Sequence, residues 1–579
     1  MSTSLEHKRH TLAHLLASSV RELYPGAKNA IGPSIDDGFY QDFELPEPIS
    51  ETALPKIESL MRKKLASWEK FEKREVTADE AKAEFAWNEY KIELINEFAT
   101  GGKTLTFYTV GGFVDLCKGG HVDNPAKDIA PDSFKLDRVA GAYWRGDEKN
   151  PMLTRIYGLA FDTKEELDAF TTQREEAKKR DHRKIGKDMG LFVFSELVGS
   201  GLPLWTPKGT VLRDELDSFV WELRKARGYS RVTIPHITKR ALYEKSGHWA
   251  KYGDDLFRII TREGTEYAMK PMNCPHHIQI FDSEARSYRD LPVRYAETTM
   301  VYRDEQSGEL AGLSRVLCIT QDDAHVFCRE SQIADEAVAV WQIIQSFYGA
   351  FGFALTPRLS RHDPEKRDKY LGTDETWQKA ENAVLDVMKK MGVTDYIDGK
   401  GEAAFYGPKI DFMAQDALGR THQVATIQLD FVQPERFELS FTNEGGEKER
   451  VVMIHAAITG SIERFLSVYI EHVAGAFPLW ISPVQVKVLP ISEHHVEYGN
   501  KVLKALKDAG LRAEIDAANE SLGKKIRNAK QEKVPYLFVV GDKEIEANAV
   551  GVETRSGSEG PKPLGEMVAR LTAEYRERK

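Results

Sequence analysis

Met300-Val301-Tyr302-Arg303-Asp304-Glu305, the loop 306–314, and Arg315-Val316-Leu317-Cys318-Ile319-Thr320-Gln321 form the stretch on which the fold turns. Two alternating runs flank a loop containing Gly and Ser, which predicts a long antiparallel hairpin. Alternation puts Arg303 and Glu305 on one face, two residues apart. A guanidinium for phosphate beside a carboxylate for an exocyclic amine is the pair a nucleotide requires. The competing reading is a surface hairpin laced by an ion pair.

Downstream, His455-Ala456-Ala457-Ile458-Thr459-Gly460-Ser461-Ile462-Glu463-Arg464-Phe465 reads as a helix. Its small residues let another backbone or a ligand approach closely, and Arg464 follows Gly460 by one turn. Upstream, Leu212-Arg213-Asp214-Glu215 begins a helix running to about Arg227. Gly228 then caps it, a strand follows, and Pro235 stops the strand.

The chain has 579 residues, too many for one core, so about two to four domains are expected. Hydrophobic content of 41% and charged content of 29% are those of a globular protein. No apolar run approaches the ~20 residues that span a bilayer, and MSTSLEHKRH has no apolar signal core. Four cysteines make no disulfide framework, so a reducing, cytoplasmic setting is expected. A net charge of -10 argues against indiscriminate nucleic-acid binding but leaves room for a local RNA-binding face.

Residues 1–162 read as a mixed α/β unit, with Leu12, Leu15, Leu16 and Val20 at helical spacing, a similar pattern over 54–71 and strand over 104–116. The charge-dense segment 163–187 predicts one solvated connecting helix. Strand-like stretches punctuated by Gly and Pro dominate from about 191 to 479. The last hundred residues alternate as βαβαβ, which predicts an α/β module with some parallel pairing.

Two constellations carry metal-type chemistry. Cys274, His325 and His455 lie in the runs MNCPH, QDDAH and IHAA. One thiol and two imidazoles suit Zn²⁺, and three ligands leave a position open. His10 and His14 share a helical face, and Cys117 and His121, preceded by Asp115, supply a second pair; by ligand chemistry alone that is a four-coordinate zinc site.

The three stretches around 212–235, 300–321 and 455–465 match, in order, motifs 1, 2 and 3 of class II aminoacyl-tRNA synthetases. KPMNCP, RDEQSG, TQDDAH, AFYGPKIDF, TIQLDF and GSIERF closely resemble the threonyl-tRNA synthetase family of bacterial type, over essentially the whole chain. The resemblance implies a multidomain α/β and α+β protein. An N-terminal α+β editing domain would occupy 1–162, a linker helix 163–187, an antiparallel class II catalytic sheet with helices 188–479, and an α/β anticodon-binding domain 480–579. It implies a homodimer built on motif 1 and three substrates, L-threonine, ATP with Mg²⁺, and tRNA(Thr). Arg303 would hold the α-phosphate, Arg464 the γ-phosphate, Arg315 the phosphate tail and Glu305 the adenine amino group; Gln423 is a further nucleotide contact. Asp323, Tyr406 and Gln428 would surround the threonine amino and hydroxyl groups, and His248 the terminal ribose of tRNA.

The resemblance gives the first constellation a purpose. An apolar pocket separates threonine from valine by only ~10²-fold, whereas a site that demands a hydroxyl rejects valine far better. In the family a zinc held by the counterparts of Cys274, His325 and His455 makes that demand, one per subunit. Serine passes it, so a second, hydrolytic site is needed. The resemblance reads His10, His14, Lys91, Asp115, Cys117 and His121 as that editing site, working without a metal; ligand counting and resemblance disagree there. Glu546 and Arg555 fall where the family reads anticodon bases.

Three features depart from the pattern. The ubiquitin-like domain with which many bacterial members begin is missing, and the start at Met1 favours a natural absence. Ile319 stands where an aromatic often packs on adenine, which predicts weaker stacking, and His276 replaces a small residue after Cys274-Pro275. Competing functions are an inactive RNA-binding paralogue, against which Arg303, Glu305 and Arg464 all stand, and a class II ligase for serine.

Overall fold

The structure is a computed structural model, and it describes residues 4–578. The chain divides into two compact units, 1–176 and 177–579, with the division inside the connecting segment.

In the first unit α1 (Leu5–Leu23) is capped by Ser4, whose side chain accepts from the His7 amide. Leu12, Leu15, Leu16 and Val20 bury against β1 (Gly38–Glu44) and α2 (Leu54–Leu65). The pattern read over 54–71 thus ends as helix at Leu65, and Trp68 closes the turn beyond it as a core residue. Strand β2 (Glu72–Val76), helix α3 (Glu89–Thr100) and the hairpin β3 (Leu105–Val110)–β4 (Phe113–Leu116) follow; β2, β3 and β4 form one antiparallel sheet. A second sheet sets β1 beside β6 (Met152–Ala160), which pairs with β5 (Phe134–Tyr143).

The expected single linker helix is two: α4 (Lys164–Lys179) and α5 (His182–Asp188). Asp181 breaks the run because its side chain accepts from the Arg183 amide, the bond of an N-cap rather than of a helix interior.

The second unit is organised by an eight-stranded sheet. Helix α6 starts at Pro207, not Leu212, because Thr206 caps it and Pro207 suits its first turn; it ends at Lys225. The two-residue strand Ser230–Arg231 pairs parallel to β7 (Val293–Tyr302) at one edge, after which α7 (Cys274–Asp282) is the helix that precedes β7 in the chain. β8 (Cys318–Cys328) pairs antiparallel with β7 in the predicted hairpin. Helix α8 (Ile333–Ala350) leads to β9 (Leu355–Arg361), β10 (Ile397–Lys400), β11 (Lys409–Gln415), β12 (Thr421–Asp430) and β13 (Val452–Ser461). The order is Ser230–Arg231, β7, β8, β13, β12, β11, β9, β10, antiparallel except at the two edges.

One expectation fails here. His455 to Gly460 is the strand β13, and α9 (Ile462–His472) begins after it. Ala456 and Ala457 are small because the strand lies between β8 and β12, not because helices cross there. The register slips between Gln321 and Asp323, and Arg224 of α6 fills the break by donating to Asp322, which also accepts from the Ile458 and Thr459 amides. This bulge re-aims the strand that carries Asp323 and His325.

Beyond residue 480, β14 (Val486–Pro490), α10 (Val496–Asp508), β15 (Ala513–Ile515), α11 (Leu522–Gln531) and β16 (Tyr536–Val540) follow the predicted alternation. β14 pairs parallel with both β15 and β16; β17 (Ala549–Thr554) and β18 (Gly557–Pro563) extend the sheet antiparallel before α12 (Leu564–Glu577). Among the described residues no helix is long and apolar enough to cross a membrane.

Candidate functional site

A cavity of about 820 Å³ opens on the eight-stranded sheet, and Arg303, Glu305, Arg315, Gln423 and Arg464 all line it. Arg303 and Glu305 reach it differently from the expectation, because β7 ends at Tyr302 and both lie in the loop beyond. The Arg303 amide still donates to the Leu317 carbonyl (3.0 Å), so the pairing continues past the strand. Glu305 and Arg315, expected to contact different parts of a nucleotide, bond each other at 2.6 and 2.8 Å. Gln423 is engaged on both sides, accepting from Arg358 (2.7 Å) and donating to Asp411 (2.8 Å). Ser461 caps α9 by accepting from the Arg464 amide, which sets Arg464 in the first turn. Ile319 is in the wall as well.

The same strands carry the first Cys/His set. Register aligns His325 of β8 with His455 of β13, and His455 with Gln428 of β12. Cys274 starts α7, and the ligand atoms of Cys274, His325 and His455 lie within 4.8 Å of one another, all three residues buried. His455 Nε2 is 2.8 Å from Asp430 Oδ2, so it donates there and leaves the Nδ1 lone pair facing inward. His325 Nδ1 is 2.7 Å from His277 Nδ1, and His277 Nε2 is 3.9 Å from Glu297. One of these two rings donates to the other, and His325 Nε2 faces His455 Nδ1 at 3.1 Å. Burial pushes the Cys274 thiol well above its usual range, with Asp323 and Asp430 adding to the effect. Two imidazole nitrogens and a thiol converging among buried residues suit a borderline-soft divalent cation.

Around this set, Tyr406 donates to Gln428 (2.6 Å) and its ring stacks on His455 (centroids 4.8 Å apart). Asn273 donates to Asp323 (3.1 Å). His248 is fully buried, with Nδ1 2.8 Å from Ser246 Oγ and Nε2 3.7 Å from Cys274 Sγ. Burial lowers its pKa to about 3, so the ring is neutral at working pH. His276 is buried with neither ring nitrogen partnered.

In the first unit a cavity of about 750 Å³ is lined by His10, His14, Lys91, Asp115 and Cys117. His10 Nε2 lies 3.0 Å from Cys117 Sγ and 3.1 Å from His14 Nε2; Cys117 Sγ lies 3.4 Å from His121 Nε2. These four residues also meet within 4.8 Å. The electrostatics differ from those of the other set. Burial favours the neutral forms, yet hydrogen bonds from His10, His121 and His14 overcome it and hold the Cys117 thiol down to about 3. Asp115 and Cys117 likewise outweigh burial and raise His14 to about 9. Asp115 accepts from Lys91 (2.6 Å), His14 (3.1 Å) and Asn29 (3.2 Å), and its carboxyl sits far below the usual range against the pull of burial. A thiolate–imidazolium pair therefore neutralises itself beside a Lys–Asp pair.

Glu546 is exposed on the short helix Asp542–Ala547. Arg555, in the β17–β18 turn, donates to the carbonyls of Phe477 (2.6 Å) and Lys533 (3.0 Å), so its guanidinium is held by backbone rather than displayed. Sequence reasoning missed Asp430, His277, Asn273 and Asn29, the partners that orient the named side chains. Only Asp430 had a signal, since it stands two residues past Gln428 on one strand face.

Residues 257–473 match the tRNA synthetase class II core domain (G, H, P, S and T), 485–574 an anticodon binding domain, and 105–157 the threonyl and alanyl tRNA synthetase second additional domain. A threonine–tRNA ligase of Deinococcus radiodurans is 47% identical over 579 residues, covering 99% of this chain and 88% of the relative. One from Porphyromonas gingivalis is 49% identical over 550 residues, covering 94% and 83%. A crystal structure titled as the RNA binding domain of threonyl-tRNA synthetase from Cryptosporidium parvum superposes with a TM-score of 0.65 at 37% identity, covering 68% of this chain and 98% of that one. With those sites and these relatives, the chain belongs to the threonine–tRNA ligase family of class II aminoacyl-tRNA synthetases.

Proposed function

We propose that this ligase activates L-threonine with ATP, transfers it to tRNA(Thr), and hydrolyses seryl-tRNA(Thr) in its first unit. The observation that carries the reading is the shared sheet: β8, β12 and β13 place His325, His455 and Gln428 in one row and contribute Gln321, Thr426 and Ala457 to the wall of the arginine-lined cavity. An amino acid held at the row would present its carboxylate toward a nucleotide in the cavity. Arg303 and Arg464 then bind and neutralise phosphate oxygens, with Mg²⁺ entering alongside ATP; release of Arg315 from Glu305 frees one group for the phosphate tail and the other for the adenine amine. Gln423 braces the nucleotide site. Catalysis of this kind is chiefly positioning and charge stabilisation.

Cys274, His325 and His455 would hold one zinc ion, which supplies a Lewis-acid contact for the amino and hydroxyl groups of threonine. Asp323, Tyr406 and Gln428 orient those groups, and a valine methyl in place of the hydroxyl leaves a polar partner unsatisfied. His248 serves transfer to the terminal ribose. In the first unit the self-neutralised Cys117–His14 pair supports metal-free hydrolysis, with Lys91 and Asp115 orienting water and His10 and His121 completing the pocket. Glu546 and Arg555 meet anticodon bases, Arg555 only after leaving its carbonyls. The domains follow the boundaries 1–162, 163–187, 188–479 and 480–579. The protein works as a cytoplasmic homodimer; its four cysteines are all free.

Threonine-driven ATP–pyrophosphate exchange by the purified, zinc-loaded protein tests the synthetic reading; absence of exchange overturns it. Hydrolysis of seryl-tRNA(Thr), lost in His14→Ala and Cys117→Ala, tests editing. Metal analysis should give one zinc per chain, absent in Cys274→Ser and retained in Cys117→Ser.

A further inference from the structure

His182 belongs to none of the motifs, yet it is buried at the start of α5. Both ring nitrogens are committed. Nδ1 lies 2.7 Å from Glu471 Oε1, which also accepts the His182 amide at 3.1 Å. Nε2 accepts the Leu313 amide at 3.0 Å. An acceptor at Nε2 fixes the tautomer: the proton sits on Nδ1 and is donated to Glu471. Glu471 is in turn bonded by Arg420 (2.6 Å).

Leu313 lies in the loop between β7 and β8 that carries Arg315. The loop rests directly on the imidazole: a Cβ added at Gly312 would stand 2.4 Å from His182 Nε2, and Gly312 has a φ of +55°. Ser314 donates to Ser467 of α9 (2.9 Å), a second tie of the same loop to the same helix. Ser314, Arg315, Arg420, Ser467 and Glu471 all line the 820 Å³ cavity. His182 thus joins the loop to a helix that lines that cavity.

We infer that His182 is a positioning residue for nucleotide binding, clamping the loop of Arg315 onto α9 through the Leu313 amide. The inference rests on the assignment of the cavity to ATP. The clamp is supplied by α5, so the loop's set point depends on how that helix packs on α9.

The Asn and Gln variants separate this role from plain packing. The amide nitrogen of His182→Asn can replace Nδ1 toward Glu471 but nothing replaces Nε2. The amide oxygen of His182→Gln can replace Nε2 toward Leu313. Isothermal titration with ATP, together with hydrogen–deuterium exchange of the peptide 310–317, should show wild-type-like affinity and protection in Gln. Asn should bind ATP about tenfold more weakly with faster exchange of that peptide, and threonine affinity should be unchanged in both. Equal ATP affinity in Asn and Gln, or ATP and threonine affinities falling together, overturns the clamp. Absence of ATP binding by the wild-type protein would instead overturn the cavity assignment beneath it.

Discussion

At the scale of single residues, the two Cys/His sets differ by what surrounds them rather than by ligand count. Burial and the carboxylates Asp323 and Asp430 hold the proton on Cys274, so its thiol stays protonated until a metal displaces the proton. Asp430 is then the residue that keeps the His455 lone pair aimed inward. Replacing it with the isosteric Asn should lower zinc affinity about tenfold or more, measured by chelator competition. Unaltered affinity would mean that β13 alone orients the ring. Cys117 is the reverse case. Its thiolate persists above pH about 3, so iodoacetamide should label it at nearly the same rate from pH 5 to pH 8. Cys318, pushed up to about 11 chiefly by burial, should lag and quicken with pH. Neither contrast is visible in sequence, where each set is a thiol and imidazoles at helical or strand spacing.

At the scale of elements, Gly407 shows how tightly the threonine row is built. A Cβ there would stand 1.9 Å from the Leu429 carbonyl, on the strand that carries Gln428 and Asp430. Gly407→Ala should force β12 away from Tyr406, at a cost of about 1–3 kcal/mol, and weaken threonine binding about tenfold or more. Calorimetric titration with threonine checks this, and ATP affinity within threefold of wild type would localise the damage. The elements were only partly legible. The hairpin, the first helix and the C-terminal alternation follow from periodicity and hold in three dimensions. The stretch from His455 to Gly460 did not, because a fully buried central strand lacks polar alternation and its small residues mimic a helix interface. The break at Asp181 was hidden for a different reason: charged residues on both sides fit a solvated helix equally well, and one side-chain-to-backbone bond decided against it.

At the scale of the whole molecule, the C-terminal module is tied to α6 through Glu215, Glu222 and Lys208, the last pairing with Glu532 (3.5 Å). Glu215 accepts from Arg512 and from Tyr575 (3.0 Å), and Arg578 pairs with Glu222 one face along. These groups are partly exposed, so Glu215→Ala should cost only about 1 kcal/mol and lower the thermal midpoint by about 2–4 °C, while threonine-driven exchange stays within twofold. A larger fall in exchange would show that seating of the C-terminal sheet reaches the nucleotide cavity. Sedimentation should give a particle of about 131 kDa, twice the chain's 65.5 kDa; a stable 65.5 kDa species that catalyses exchange would sink the dimer reading.

The sequence by itself determined the family and the order of many of the elements, because motif residues and hydrophobic period are local properties written along the chain. It also named His10, His14, Lys91, Asp115 and Cys117 in the wall of one cavity and Arg303, Glu305, Arg315, Gln423 and Arg464 in the wall of the other. Only the tertiary structure decided which of those side chains are free and which are already bonded, as Glu305 is to Arg315, Gln423 to Arg358 and Arg555 to backbone carbonyls. It supplied His277 and His182, and the role of Asp430, through strand register and contacts made across as many as 289 positions. The reason is physical. Donor and acceptor chemistry belongs to the residue, but its charge state, its tautomer and its partner belong to the burial and neighbours that long-range packing creates.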